Sequence, residues 1–140
     1  MSATTVTMCP VVHFEMPYRD RDRAARFYAQ AFGWAHEKLG PEMGDYLLVT
    51  TVAPGARPGV PPEAPVGAIN GGFYPFHADM PMQHPSVVVA VEDVHAAMER
   101  IRAAGGQVLG EPMTIPGVGE YVAFVDTEGN RNSVLQPDMP

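Results

Sequence analysis

The sequence predicts an α+β fold built from two βαβββ modules, and two internal repeats with one alternating strand pattern are what predict it. Displaced by 73 positions, residues 11–20 fall on residues 84–93, so that Asp20 meets Asp93, Ala24 meets Ala97 and Gly33 meets Gly106. Displaced by 62 positions, Gly67–Pro75 falls on Gly129–Pro137, with Asn70 on Asn132 and Gly71 on Ser133. Each half therefore opens and closes alike, and the two displacements differ by loop length carried between. Two repeats of roughly 60 residues are too few for a solenoid, which needs about three units to bury a continuous core. The expectation is one pseudo-symmetric domain over 1–140, with module one at about 10–75, a linker at 76–85 and module two at about 86–137.

Each element has a local reason. From Pro10 to Met16 the period-two alternation puts Val12, Phe14 and Met16 on one face and Val11, His13 and Glu15 on the other, so His13 and Glu15 project together. Asp20 or Asp22 can cap a helix near 21–32 whose apolar stripe reads Ala24, Phe27, Tyr28 and Ala31, and Gly33 ends it. Residues 34–39 and 45–51 read as short strands joined by the turn 40–44. Residues 53–65 hold five prolines and two glycines, too many breakers for regular structure, and 66–74 is the module's last strand.

The second half repeats this order. Residues 86–91 form a valine-rich strand. Asp93 caps a helix near 93–104 carrying Val94, Ala97, Met98 and Ile101, and Gly105-Gly106 stops it. Residues 107–109, 121–125 and 133–136 follow as strands. The stretch 111–120, with Pro112, Pro116, Gly117 and Gly119, reads as a second breaker-rich loop, and Thr127-Glu128-Gly129-Asn130 as a hairpin turn.

Composition excludes several classes of partner. The formal charge of −7 argues against nucleic acid, whose binders usually carry a basic face. The cluster Arg19, Arg21, Arg23 and Arg26 is interleaved with Asp20 and Asp22, which reads as a solvated helix start. No apolar run approaches the ~18 residues of a membrane span, and no basic, apolar leader opens the chain, so the expected location is the cytoplasm. The single Cys9 cannot form an internal disulfide and has no activating neighbour. No phosphate-cradling glycine loop and no Ser-His-Asp order is present; Gly67–Gly72 lacks the lysine of a P-loop.

Several of these segments together carry a resemblance: His13 fourteen residues before Phe27-Tyr28, then Gly33-Trp34, Gly67–Phe73, Val91–Val94, Ala103–Gly106, Ile115–Gly119 and Asp126–Arg131. Over about residues 10–137 the chain resembles the vicinal oxygen chelate superfamily of glyoxalase I, extradiol dioxygenases and bleomycin-resistance proteins, and within it the single-domain glyoxalase-like branch. The resemblance implies an open, curved mixed sheet around a cavity and a homodimer. It also implies four metal-ligand positions, which fall here on His13, Gly71, Ser86 and Ser133. Only His13 is a good ligand for zinc, nickel or iron, because glycine has no side chain and neutral hydroxyls bind these ions poorly. The expectation is therefore no metal and no other cofactor. His77 and His84 in the linker, and His36 and His95 elsewhere, read as exposed or hydrogen-bonded histidines.

What remains is a mostly apolar cavity with few polar groups, the makeup of a small-molecule site. Strand register lines it with Val11, His13, Glu15, Asn70 or Gly71, Ser86, Val88, Ser133 and Leu135, with Tyr74 and Tyr121 near the rim. His13 and Glu15 form an acid–base candidate, an imidazole near neutrality with a carboxylate two residues away. Three functions follow in order. The first is a metal-free protein binding or sequestering a small organic metabolite or drug. The second is a metal-independent lyase, isomerase or cyclase of small-molecule metabolism using His13 and Glu15. The third is a metal-dependent lyase or dioxygenase.

Overall fold

The structure is a computed structural model that describes residues 8–52 and 68–138. The breaker-rich stretch 53–65 and the first residues of the strand expected at 66–74 lie outside the described residues. Among those described, eight strands and two α-helices follow one another in the order β, α, β, β, β, twice over. The first set is β1 (Val11–Tyr18), α1 (Arg21–Phe32), β2 (Ala35–Lys38), β3 (Leu47–Thr50) and β4 (Asn70–Pro75). The second is β5 (Ser86–Ala90), α2 (Val94–Ala103), β6 (Gln107–Ile115), β7 (Gly119–Val125) and β8 (Arg131–Pro137). The predicted α+β class and the doubled βαβββ order are both observed.

The chain groups into two compact units, one of residues 12–87 and one of residues 88–138 with the described residues before Val12. In the first, the strands lie in the order β2-β3-β4-β1, with β1 and β4 parallel and the other pairs antiparallel. In the second, the order is β5-β8-β7-β6, with β5 and β8 parallel. First and last strands of each module are thus neighbours, and the helix is the crossover that makes a parallel pair possible.

Both helices start where the carboxylate caps predict. Asp20 accepts a hydrogen bond from Arg23 N at 3.0 Å, and Asp93 accepts from His95 N at 2.9 Å and Ala96 N at 3.1 Å. Such a cap contributes about 1 kcal/mol over alanine. Gly33 closes α1 at φ 75°, a left-handed conformation that glycine adopts without steric cost.

The cores of the two units differ in chemistry. In the second, Val94, Ala97 and Met98 of α2 are buried against Val91, Val122 and Val134, with Ile101 partly buried, as the stripe predicts. In the first, α1 buries Ala25, while Ala24 and Tyr28 pack beside it against Leu47, Val49, Phe73, Phe14 and Met16. The expected stripe is corrected here: Phe27 is 56% exposed and Ala31 is exposed. The helix is rotated so that Ala25 meets the sheet, because Tyr28 stacks on Trp34 at 4.8 Å and Phe27 is left to pack edge-on against Tyr28.

A second correction concerns 111–120. It is no loop: β6 continues to Ile115 and β7 already begins at Gly119, with the turn at 116–118 closed by Val118 N donating to Ile115 O at 2.9 Å. Pro112 is accommodated because the β6–β7 register shifts between Leu109 and Met113 and because β6 is the last strand of its unit, where a missing N–H is tolerated. The segment expected as a linker is hydrogen-bonded within itself. Buried Gln83 accepts from His77 N at 2.8 Å and donates to His77 O at 2.5 Å and Met80 O at 2.7 Å.

Candidate functional site

The parallel pairing of β1 with β4 decides which side chains share a face. His13 lies opposite Asn70, Glu15 opposite Gly72 and Pro17 opposite Tyr74. The alternate residues Phe14, Met16, Gly71 and Phe73 point to the α1 side, where Phe14, Met16 and Phe73 belong to the core. Asn70, and not Gly71, therefore shares the face of His13. The metal-ligand position carried onto Gly71 falls on the helix-covered face, where an added Cβ would lie 2.6 Å from the Phe14 ring.

β3 brings a residue that no sequence motif selects. Leu48 pairs with Gly72, so Tyr46, two positions earlier, is on the same face as Glu15 and Gly72. Its ring lies directly over Gly72, where any Cβ would overlap it. There its hydroxyl meets both acid–base candidates: His13 Nε2 at 2.9 Å, and Glu15 Oε2, to which it donates, at 2.9 Å. Tyr46 is held by its own surroundings. Leu39 N donates to its carbonyl at 2.9 Å, and the Asp45 carbonyl before it accepts from Tyr18 OH at 2.7 Å and from Arg21 at 3.0 Å. Arg21 also bonds Leu39 O at 2.8 Å, so this cation of the interleaved cluster fixes a loop rather than standing in solvent. Arg19 lies over the Phe76 ring at 3.9 Å. The signal for Tyr46 was Gly71-Gly72 within a strand, since a glycine there often marks a close approach by another group.

Asn70 is tied to the end of β3. Its Oδ1 accepts from Thr51 N at 2.8 Å, and Thr51 Oγ1 donates to Ile69 O at 2.5 Å. Tyr74 is half-buried two residues beyond Gly72. In the second unit, Val88 pairs with Ser133, which pairs with Ala123, and Leu135 pairs with Tyr121, so these residues share the sheet face away from α2. Ser86, two residues before Val88, has the same parity. The Ser133 Oγ is buried without a hydrogen-bond partner among the described residues.

The residues at the four positions that the resemblance assigns to a metal do not fit a transition metal. Of the four carried positions only His13 is a good ligand, since Gly71 lacks a side chain and Ser86 and Ser133 offer only hydroxyls. Among the described residues no three His, Cys, Asp or Glu side chains are grouped to hold an ion, and His36, His77, His84 and His95 are exposed. Nor is any described helix long and apolar enough to cross a membrane.

Burial is the larger influence on His13 and pushes its imidazole below the ordinary value; the nearby Glu15 carboxylate opposes this. The folded-state pKa therefore lies under the unfolded one, and between the two the unfolded chain binds more protons. The contribution of His13 to stability is present above about pH 6.5 and is lost as pH falls toward the folded value. Urea unfolding followed from pH 7.5 to 5 should show a fall in midpoint that is smaller in His13→Gln. An equal fall in both proteins would contradict the assignment.

Comparison with known proteins bears on family and fold. CFP32 of Mycobacterium tuberculosis, which carries a glyoxylase name, is 33% identical over 116 residues, covering 83% of this chain and 40% of CFP32. The anthracycline biosynthesis protein DnrV of Streptomyces peucetius is 30% identical over 123 residues, 83% of this chain and 42% of DnrV. The chain thus spans about two fifths of the length of both relatives. Among solved structures, methylmalonyl-CoA epimerase of Streptomyces coelicolor superposes with a TM-score of 0.65 at 17% identity, covering 95% of this chain and 100% of that one, which is a likeness of fold. The sequence model of the Glyoxalase/Bleomycin resistance protein/Dioxygenase superfamily matches residues 11–134, and the chain belongs to that superfamily.

Proposed function

We propose that this chain acts on a small organic molecule by moving a proton, with His13 as the base, Glu15 as its carboxylate partner and no resident metal. The observation that carries this reading is the hydrogen-bonded run from His13 through Tyr46 to Glu15, with both links at 2.9 Å. A general base must stay neutral until it takes its proton, and burial keeps the imidazole in that state. The carboxylate then offsets the positive charge that forms. Isomerisation, cyclisation and elimination all require such a step. The Streptomyces peucetius relative, an anthracycline biosynthesis protein, supports a small organic metabolite as ligand.

Binding without reaction is the second reading. A specific observation favours it: Tyr46 already bridges His13 Nε2 and Glu15 Oε2, so those two contacts stand without a substrate to complete them.

Co-purified small molecules identified by mass spectrometry supply the ligand for the test. With it, His13→Ala should lower turnover by roughly 10²- to 10⁴-fold, the range for a lost acid–base group, and Glu15→Gln by less. A ligand that leaves chemically unchanged after incubation establishes the binding reading instead, and turnover indifferent to His13 refutes the assignment of the base.

Elemental analysis of the purified chain should find no stoichiometric zinc, nickel, iron or manganese. One ion per chain that disappears in His13→Ala would restore a metal-dependent lyase or dioxygenase.

We also propose a homodimer, supported by the exposed aromatic rings of Phe27 and Phe32 on α1, 56% and 63% accessible. Light scattering at micromolar concentration should give twice the mass of one chain; a monomer mass would refute it.

A further inference from the structure

Tyr46 meets both members of the acid–base pair, and one proton count fixes the chemistry of the imidazole. A tyrosine hydroxyl has a single hydrogen, and here it is donated to Glu15 Oε2 at 2.9 Å; an ionised carboxylate can only accept. The Tyr46 oxygen is then the acceptor toward His13, so the ring nitrogen 2.9 Å away, Nε2, carries the N–H. A neutral imidazole has one N–H, which leaves the lone pair on Nδ1. We propose that Tyr46 is the positioning residue of this site: it holds His13 in the Nε2–H tautomer and so makes Nδ1 the atom that takes the substrate's proton.

The catalytic consequence rests on the acid–base reading above, whereas the tautomer does not. In the step, the proton of an acidic C–H or O–H group on the substrate bonds to the Nδ1 lone pair, and the electron pair of the broken bond stays on the substrate. The imidazolium keeps its Nε2–H bond to the Tyr46 oxygen, whose own hydrogen remains on the Glu15 side. Return of the Nδ1 proton to a second position on the substrate completes an isomerisation, and nothing is oxidised or reduced.

The fold has committed backbone to this geometry. Gly72 leaves room for the ring, since a Cβ there would overlap it. Tyr18 and Arg21 clamp the Asp45 carbonyl next to Tyr46 at 2.7 Å and 3.0 Å, with Asp45 itself at φ 55°, a conformation uncommon for a residue other than glycine.

Imidazole nitrogen-15 NMR on the full chain tests the proposal directly, with the His13 signals identified by their loss in His13→Gln. In the parent protein the neutral His13 should carry its proton on Nε2 alone. Tyr46→Phe keeps the ring over Gly72 and removes only the hydroxyl. In it the Nδ1–H form should appear, and His13 should titrate lower by about one pH unit, the scale of a lost hydrogen bond to a charged donor. Gly72→Ala, which displaces the ring while leaving the hydroxyl intact, should shift the tautomer in the same direction and serves if the phenylalanine variant does not fold. A parent His13 protonated on Nδ1 overturns the proposal, and so does a Tyr46→Phe protein with unchanged tautomer and titration. These readouts come from the ligand-free chain. A catalytic loss in His13→Ala beside an unchanged tautomer in Tyr46→Phe would therefore sink the role of Tyr46 alone, and a shifted tautomer with no turnover would sink only the acid–base reading.

Discussion

The parallel pairing of first and last strand within each module is the constraint from which the rest of the arrangement follows. Parallel neighbours cannot be joined by a tight turn, so a helix must cross over, and it covers one face of the sheet. That face then needs apolar side chains at every second position. β1 supplies Phe14 and Met16 there, which sends His13 and Glu15 to the opposite face together. In the second unit the same pairing of β5 with β8 places Val89 and Val134 toward α2 and puts Val88 and Ser133 on the other side. Slipping either pair by one residue would exchange the two sets.

The polar run on the first unit's sheet is stable only as a whole. Removing a partner from a buried donor or acceptor costs about 1–3 kcal/mol, more than an average hydrogen bond contributes. Tyr46 spares His13 and Glu15 that cost at once, by standing between them at 2.9 Å from each. The structure gives up something for it. Two adjacent glycines in β4 each cost roughly 0.5–1 kcal/mol relative to alanine in a strand. Gly72 returns that loss as room for the Tyr46 ring on one face, and Gly71 as room for the Phe14 ring on the other.

Equal topology does not mean equal packing. The second unit is held by aliphatic contacts among Val91, Val94, Met98, Val122 and Val134. In the first, aromatic rings dominate: Trp34 lies 4.8 Å from Tyr28 and 5.6 Å from Phe14, and Tyr28 lies 5.2 Å from Phe73. Ring pairs at such separations add about 0.5–1.5 kcal/mol beyond burial. The aromatic side of β1 is thus firmly fixed directly behind His13 and Glu15, which steadies the two side chains that project from its other face.

By itself the sequence determined the order of elements, because caps, glycine stops and alternation are local signals: Asp20, Gly33 and Asp93 act where their positions predict. It also determined that His13 and Glu15 project together, since residues two apart on a strand must. The continuation of β6 through Pro112 was not legible, because a proline looks like a breaker until the register shift and the terminal place of that strand in its unit are known. Nor was the exposure of Phe27, which depends on how Tyr28 stacks on Trp34. Above all, Tyr46 stands 31 residues from Glu15 and 33 from His13 along the chain, and no periodicity spans such a distance. Only strand register brings it over Gly72, and the same pairing puts Asn70, not Gly71, on the face of His13. Local backbone preferences fix what each segment becomes, but hydrogen bonding between distant strands decides which side chains meet.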